Sequence, residues 1–173
     1  MSNAVIINIF RFLGFLLFQV LILKRLSAGW EGLVYINFIL YPLFIIWLPL
    51  RTPQVVLLFV AFALGLLVDM GYDTLGIHAG ASVLTAYSRG RILNWLEPRD
   101  GYNVNYSPVK ARLGARWFWL YASIMMGIHL LYYHSLDAFS PVFWLDIVLK
   151  TFHSFAFSMI MVIIVVYIFD PKE

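Results

Sequence analysis

Cysteine is absent from this 173-residue chain, which excludes a disulfide framework, a thiolate zinc site and a cysteine nucleophile. Charge is scarce as well. Acidic and basic side chains make up 12% of the sequence, and a net charge of +3 is too small to point to nucleic acid. The usual catalytic signatures are also missing: no HExxH, no nucleophile elbow, no Walker loop and no dinucleotide fingerprint. Of the four histidines, His129 and His134 lie five apart, the wrong spacing for two ligands on one helical face. The sequence therefore implies no catalytic residue, no metal and no cofactor, and the expectation is a protein that is not an enzyme.

What the chain has in abundance is apolar surface. Hydrophobic residues account for 62% and aromatics for 18%, against roughly 45–50% apolar in ordinary globular domains. A bilayer accommodates such a composition, because a spanning helix needs about 20 mostly apolar residues. Six apolar segments can be drawn, at residues 5–23, 33–50, 53–69, 76–96, 117–133 and 142–169. They predict an all-α membrane protein, a bundle of six transmembrane helices in a single domain over 1–173. No cleavable signal is expected, since the first segment lacks a small-residue cleavage site. The last segment is long for one straight span. Asp146 and Lys150 near its start suggest an interfacial entry before the chain turns inward.

The basic residues orient the bundle. With the N-terminus in the cytoplasm, the inner side holds Arg51, Arg89, Arg91, Arg99, Lys110, Arg112, Arg116 and Lys172. The outer side holds only Lys24 and Arg25, beside Glu31, Asp73 and Asp137. Both termini are thus predicted cytoplasmic. Arg11 falls within the first span, close enough to its start to snorkel. Pro49 and Pro53 bracket a tight cytoplasmic turn, and Pro42 should kink the second span. Trp30, Trp47, Trp117 and Trp119 sit near the predicted interfaces.

The third span carries the sharpest pattern. Ala61, Gly65 and Asp69 are four apart and form one stripe, and small residues at that spacing let two backbones approach. Asp69 lies near the outer end, where the helix dipole is unfavourable to an acid. Three readings stay open: contact with interfacial water, a packing and capping role, or direct ion binding. The start of the next helix, around Gly76 and His78, offers free N–H groups for the capping reading. Gly76 and Gly80 make a GxxxG, and Ala79, Ser82, Ala86 and Gly90 keep an adjacent face small. Helices three and four are expected to pack here, so Ala61, Gly65, Asp69, Gly76, His78 and Gly80 are the candidate packing or partner-binding residues. Arg89, Arg91, Arg99, Lys110, Arg112 and Arg116 are expected to form a cytoplasmic basic surface. It would meet anionic lipid headgroups or a cytoplasmic partner.

The pattern G-L-L-V-D, a short loop, then L-G-I-H-A with a following Tyr and Arg resembles the MreD family of rod shape-determining membrane proteins. The positions that carry it are Gly65, Asp69, Gly76, His78, Ala79, Tyr87 and Arg89. Gln19 in the first span and the YPLFIIWLPL ending of the second agree with it. The resemblance implies a non-enzymatic component of the bacterial wall-elongation complex in the inner membrane. Its partner would be the single-span scaffold MreC, and through it the MreB filament, a SEDS glycosyltransferase and a penicillin-binding transpeptidase. The family fold is similar to the six-helix substrate-binding subunits of energy-coupling-factor transporters. A vitamin-binding transporter subunit is therefore the alternative function, for which the deep polar residues Gln19, Asn37, Ser123 and Ser158 are few.

Overall fold

A computed structural model describes residues 3–28 and 36–169 of the chain. The expected positions of Trp30, Glu31, Lys172 and the first three residues of the second span (33–35) lie outside them. Most of the described residues are helical, with no strand among them. Helix α1 (Asn3–Phe18) runs through a π-helical turn (Gln19–Leu23) into α2 (Lys24–Ala28) without a break. There follow α3 (Pro42–Trp47), α4 (Gln54–Tyr72), α5 (Ile77–Trp95), the short α6 (Lys110–Leu113), α7 (Ala115–Ala138) and α8 (Trp144–Phe169). Three helical stretches are long and apolar enough to cross a membrane: Val5–Ser27, Gln54–Tyr72 and Pro141–Phe169. The α5 and α7 helices have 19 and 24 residues but are more polar.

The second expected span takes a different form. From Ile36 to Leu40 the chain is not helical, and only the six residues of α3 are. Pro42 opens that helix instead of kinking a longer one, because the first turn has no use for the N–H that proline lacks. Every residue of α3 is nevertheless buried. The segment is a plug inside the protein, packed between α1, α5 and α7. It touches α1 through Phe12 against Phe44 and Phe15 against Trp47.

Two other expectations change. The first helix continues past Leu23 to Ala28, and Lys24 reaches across to donate to Gly71 O at 2.7 Å. That cation offsets the negative end of α4. The last segment is one continuous helix of 26 residues after a 3-10 turn at Pro141–Phe143, unbroken at the expected interfacial entry. Lys150 pairs with Asp137 of α7 at 3.7 Å, which ties the two helices together near that end.

The loop after α5 folds back on the α3–α4 turn. Leu50 N donates to Tyr106 O and Arg51 N to Val104 O, both at 3.0 Å. Tyr102 donates to Leu93 O at 2.8 Å and Trp117 Nε1 to Leu96 O at 2.7 Å. Burial, with the nearby Glu97 carboxylate adding to it, pushes the Tyr102 phenol up to about 12. It therefore stays a proton donor to Leu93 throughout the physiological range.

Candidate functional site

The α4–α5 junction is a closed unit. Asp69, 2% exposed, accepts from His78 N at 3.0 Å, Ala79 N at 2.8 Å and Thr74 Oγ1 at 2.5 Å. Its carboxylate thus satisfies two free N–H groups at the start of α5, where the helix dipole favours an anion. The turn between the helices is set by Asp73 at φ 58° and Gly76 at φ 82°, both left-handed. Among the readings of Asp69, the geometry is that of a cap. We predict that Asp69→Ala lowers stability by about 2 kcal/mol and Asp69→Asn by less, since the amide oxygen retains one acceptor. Melting of both variants in detergent checks this, and equal effects would contradict it.

The small residues divide their work. Ala61 and Gly65 are buried on α4, and a Cβ built on Gly65 would lie 2.5 Å from Ala79 Cα and 2.6 Å from His78 O. This is the close approach of α4 and α5. A Cβ built on Gly80 would point away from α4 and lie 2.9 Å from Leu136 Cδ1 of α7. A Cβ built on Gly76 would meet nothing within 4 Å, so this glycine serves the turn through its left-handed backbone conformation. The GxxxG is therefore one turn-forming glycine and one glycine facing α7, not a contact face towards α4.

A second constellation holds the irregular segment. Backbone groups buried away from water must find partners, and here side chains supply them. Asn37 N donates to Ser154 Oγ at 2.9 Å, Ile39 N to Ser158 Oγ at 3.0 Å and Phe38 N to Ser27 Oγ at 3.1 Å. Gln19, fully buried in the π-helical turn, accepts from Leu40 N at 2.8 Å and donates to Phe38 O at 2.8 Å. Phe38 O is the carbonyl that the missing N–H of Pro42 would serve in a continuous helix. Gln19 replaces that donor.

A third set joins α3, α5 and α7. Tyr41 OH lies 3.1 Å from His78 Nδ1 and 2.8 Å from His129 Nε2, and His129 Nδ1 is 2.8 Å from Thr85 Oγ1. Thr85 gives its one hydrogen to Ala81 O at 2.7 Å, so it accepts from His129 Nδ1–H. Tyr41 then donates to His129 Nε2 and accepts from His78 Nδ1–H. Both imidazoles are neutral in this assignment, and His78 Nε2 has no hydrogen-bond partner. The sequence did not signal this trio, because the three residues are far apart in the chain and meet only around Tyr41.

Arg89 requires a correction. It is 2% exposed, donates through Nε to Tyr121 OH at 3.2 Å, and donates through Nη2 to Leu48 O at the end of α3. A guanidinium that clasps a helix C-terminus belongs to the interior and not to a basic surface. The other five expected members are placed at or near the surface. Arg91 stacks on Tyr87, Arg112 on Tyr106 and Lys110 on Tyr167, while Arg99 and Arg116 are exposed.

Beside the α4–α5 unit runs a lateral groove of about 810 Å³. Gly76, Ala79, Gly80 and Val83 contribute to its lining, together with Phe62 of α4 and Tyr132 of α7. Among the described residues no group of three His, Asp or Glu could hold a metal ion. Geometry thus defines an all-α protein with three membrane-length apolar helices, a rigid capped hairpin and an apolar side groove. Compared with protein families, curated proteins and solved structures, the chain matches none.

Proposed function

We propose that this chain is a non-enzymatic, six-crossing protein of a bacterial cytoplasmic membrane that binds an MreC-like single-span scaffold in wall elongation. The observation that carries the reading is the groove beside the α4–α5 hairpin. A bottom of small residues lets a partner helix approach closely, and a rigid wall fixes its orientation. The resemblance to the MreD family, carried by Gly65, Asp69, Gly76, His78, Ala79, Tyr87 and Arg89, supplies the partner. MreB, the SEDS glycosyltransferase and the transpeptidase would be reached through that scaffold.

The sixth crossing in this reading is the irregular segment. Fully extended, the five residues 36–40 would span at most about 18 Å and the six of α3 about 9 Å, together approaching the hydrocarbon thickness of about 30 Å. Non-helical backbone at membrane depth is tolerated where protein buries it, and the bonds from Gln19, Ser27, Ser154 and Ser158 meet that condition. Arg51, Arg91, Arg99, Lys110, Arg112 and Arg116 would face the cytoplasm with both ends of the sequence. The vitamin-transporter alternative has less support, since Gln19 and Ser158 are already committed to backbone groups.

The test is a pull-down of the tagged chain from native membranes, scored for MreC against transporter ATPases. Val83→Trp blocks the groove and should lower MreC recovery about tenfold at unchanged melting, an overpacking penalty of roughly 1–3 kcal/mol. Recovery of the ATPase, or MreC recovery that ignores Val83→Trp, would overturn the proposal.

A further inference from the structure

Away from the α4–α5 hairpin, α1 and α8 share a cavity, and only 11% of the apolar stretch at Val5–Ser27 is buried in the protein. The cavity has a volume of about 600 Å³ and is lined by Phe10, Phe18, Val165 and Phe169, with Gly14, Arg11 and Trp47 on the same wall. A Cβ placed on Gly14 would meet nothing within 4 Å, so the space continues up to the backbone. Water suits such a cavity badly, because its walls offer few polar partners. An empty cavity would forfeit the dispersion contacts of every aromatic around it.

Two groups on the wall select the occupant. Trp47 is 3% exposed, yet its indole Nε1 has no hydrogen-bond partner, and a buried N–H needs an acceptor. Arg11, whose Nη1 reaches Asn8 Oδ1 at 3.4 Å, adds a positive charge to an otherwise apolar lining. An apolar body, an acceptor at its polar end and a negative charge together describe one molecule class. We infer that the cavity holds an anionic glycerophospholipid of the cytoplasmic leaflet. One acyl chain lies between α1 and α8, an ester carbonyl accepts from Trp47, and the phosphate sits towards Arg11. The inference rests on the membrane reading but not on the choice of protein partner.

The test reconstitutes the chain in vesicles of equal phosphatidylglycerol and phosphatidylcholine. Flotation is scored first, then lipid retained after detergent extraction, by native mass spectrometry. Wild type should float and keep one phosphatidylglycerol, preferred about fivefold over phosphatidylcholine, the ratio that one nearby cation supplies. Gly14→Leu fills the cavity from an unobstructed position and should abolish retention while helix content stays the same. Trp47→Phe should lower it about tenfold, the effect of one hydrogen bond to a polar headgroup. Arg11→Gln should erase the headgroup preference. A chain that does not float overturns the membrane reading and this site with it. A chain that floats but retains no lipid, or a Gly14→Leu variant that retains as much as wild type, overturns the site alone.

Discussion

Gln19→Met is expected to destabilise the protein by about 4 kcal/mol, because it orphans two buried backbone groups at ~1–3 kcal/mol each. The substitution keeps the length and flexibility of the side chain and removes only its amide. Phe38 O loses its donor and Leu40 N its acceptor, while the shorter-range packing of the π-helical turn is preserved. Hydrogen bonds between membrane helices are usually worth far less, about 0.6 kcal/mol, since the unfolded-in-membrane state finds other partners. That low value applies to helices whose backbones are already satisfied. Here the partner is non-helical backbone, and coiling it into a helix would still leave Phe38 O without a donor from Pro42. Tyr72→Phe is the control: it removes the 2.7 Å bond from Gln19 Nε2 to the phenol and the long 3.4 Å bond from the phenol to Gln19 O, leaves Phe38 and Leu40 served, and should cost about 1 kcal/mol. Thermal melting in detergent micelles, followed by circular dichroism, decides between them. A Gln19→Met variant that melts like Tyr72→Phe would show that Gln19 does not hold the segment.

The second large effect separates two glycines that look alike in sequence. Alanine in place of glycine inside a helix gains roughly 0.8–1 kcal/mol in propensity. At Gly80 that gain should dominate, because the only close atom is the terminal Leu136 Cδ1, which can rotate away. At Gly65 the new methyl would meet Ala79 Cα, His78 O and Ala79 N, all within 2.8 Å and all backbone. Nothing there can move without parting α4 from α5, and overpacking of this kind costs about 1–3 kcal/mol. Parting the helices also stretches the bonds from His78 and Ala79 to Asp69, so the loss falls at the upper end of that range. We therefore expect Gly80→Ala to melt at or above wild type and Gly65→Ala well below it. The reverse order would refute the assignment of the contact.

The sequence made the α4–α5 unit legible and left α3 obscure, for reasons that lie in the residues themselves. Ala61, Gly65 and Asp69 share a helix face with each other, and Asp69 meets groups only nine and ten residues ahead. Short-range geometry was enough to suggest a cap. The segment from Ile36 to Trp47 is apolar apart from Asn37, and hydropathy does not separate a helix from an extended chain when nearly every side is buried. Its true signals sat elsewhere: a glutamine in the first helix, and Ser154 and Ser158 four apart on the last. Those residues read as isolated polar positions until the backbone they serve is in place. Arg89 was misplaced for a related reason, since its partners are a carbonyl and a phenol. Neither appears in a count of charges.

The bonds to the irregular segment also impose an order on biosynthesis. Asn37 and Ile39 reach their acceptors on α8 across 117 and 119 residues of chain. At a translation rate of roughly 5–20 residues per second, that separation is on the order of 6–24 s. Throughout that interval the segment has been synthesised while Ser154 and Ser158 have not. Its first N–H groups must be held by water, lipid headgroups or an insertion factor until α8 arrives. The helix made after all the other described ones thus closes an irregular segment made long before it, and a ribosome stalled before residue 154 would carry a protein with an open seam.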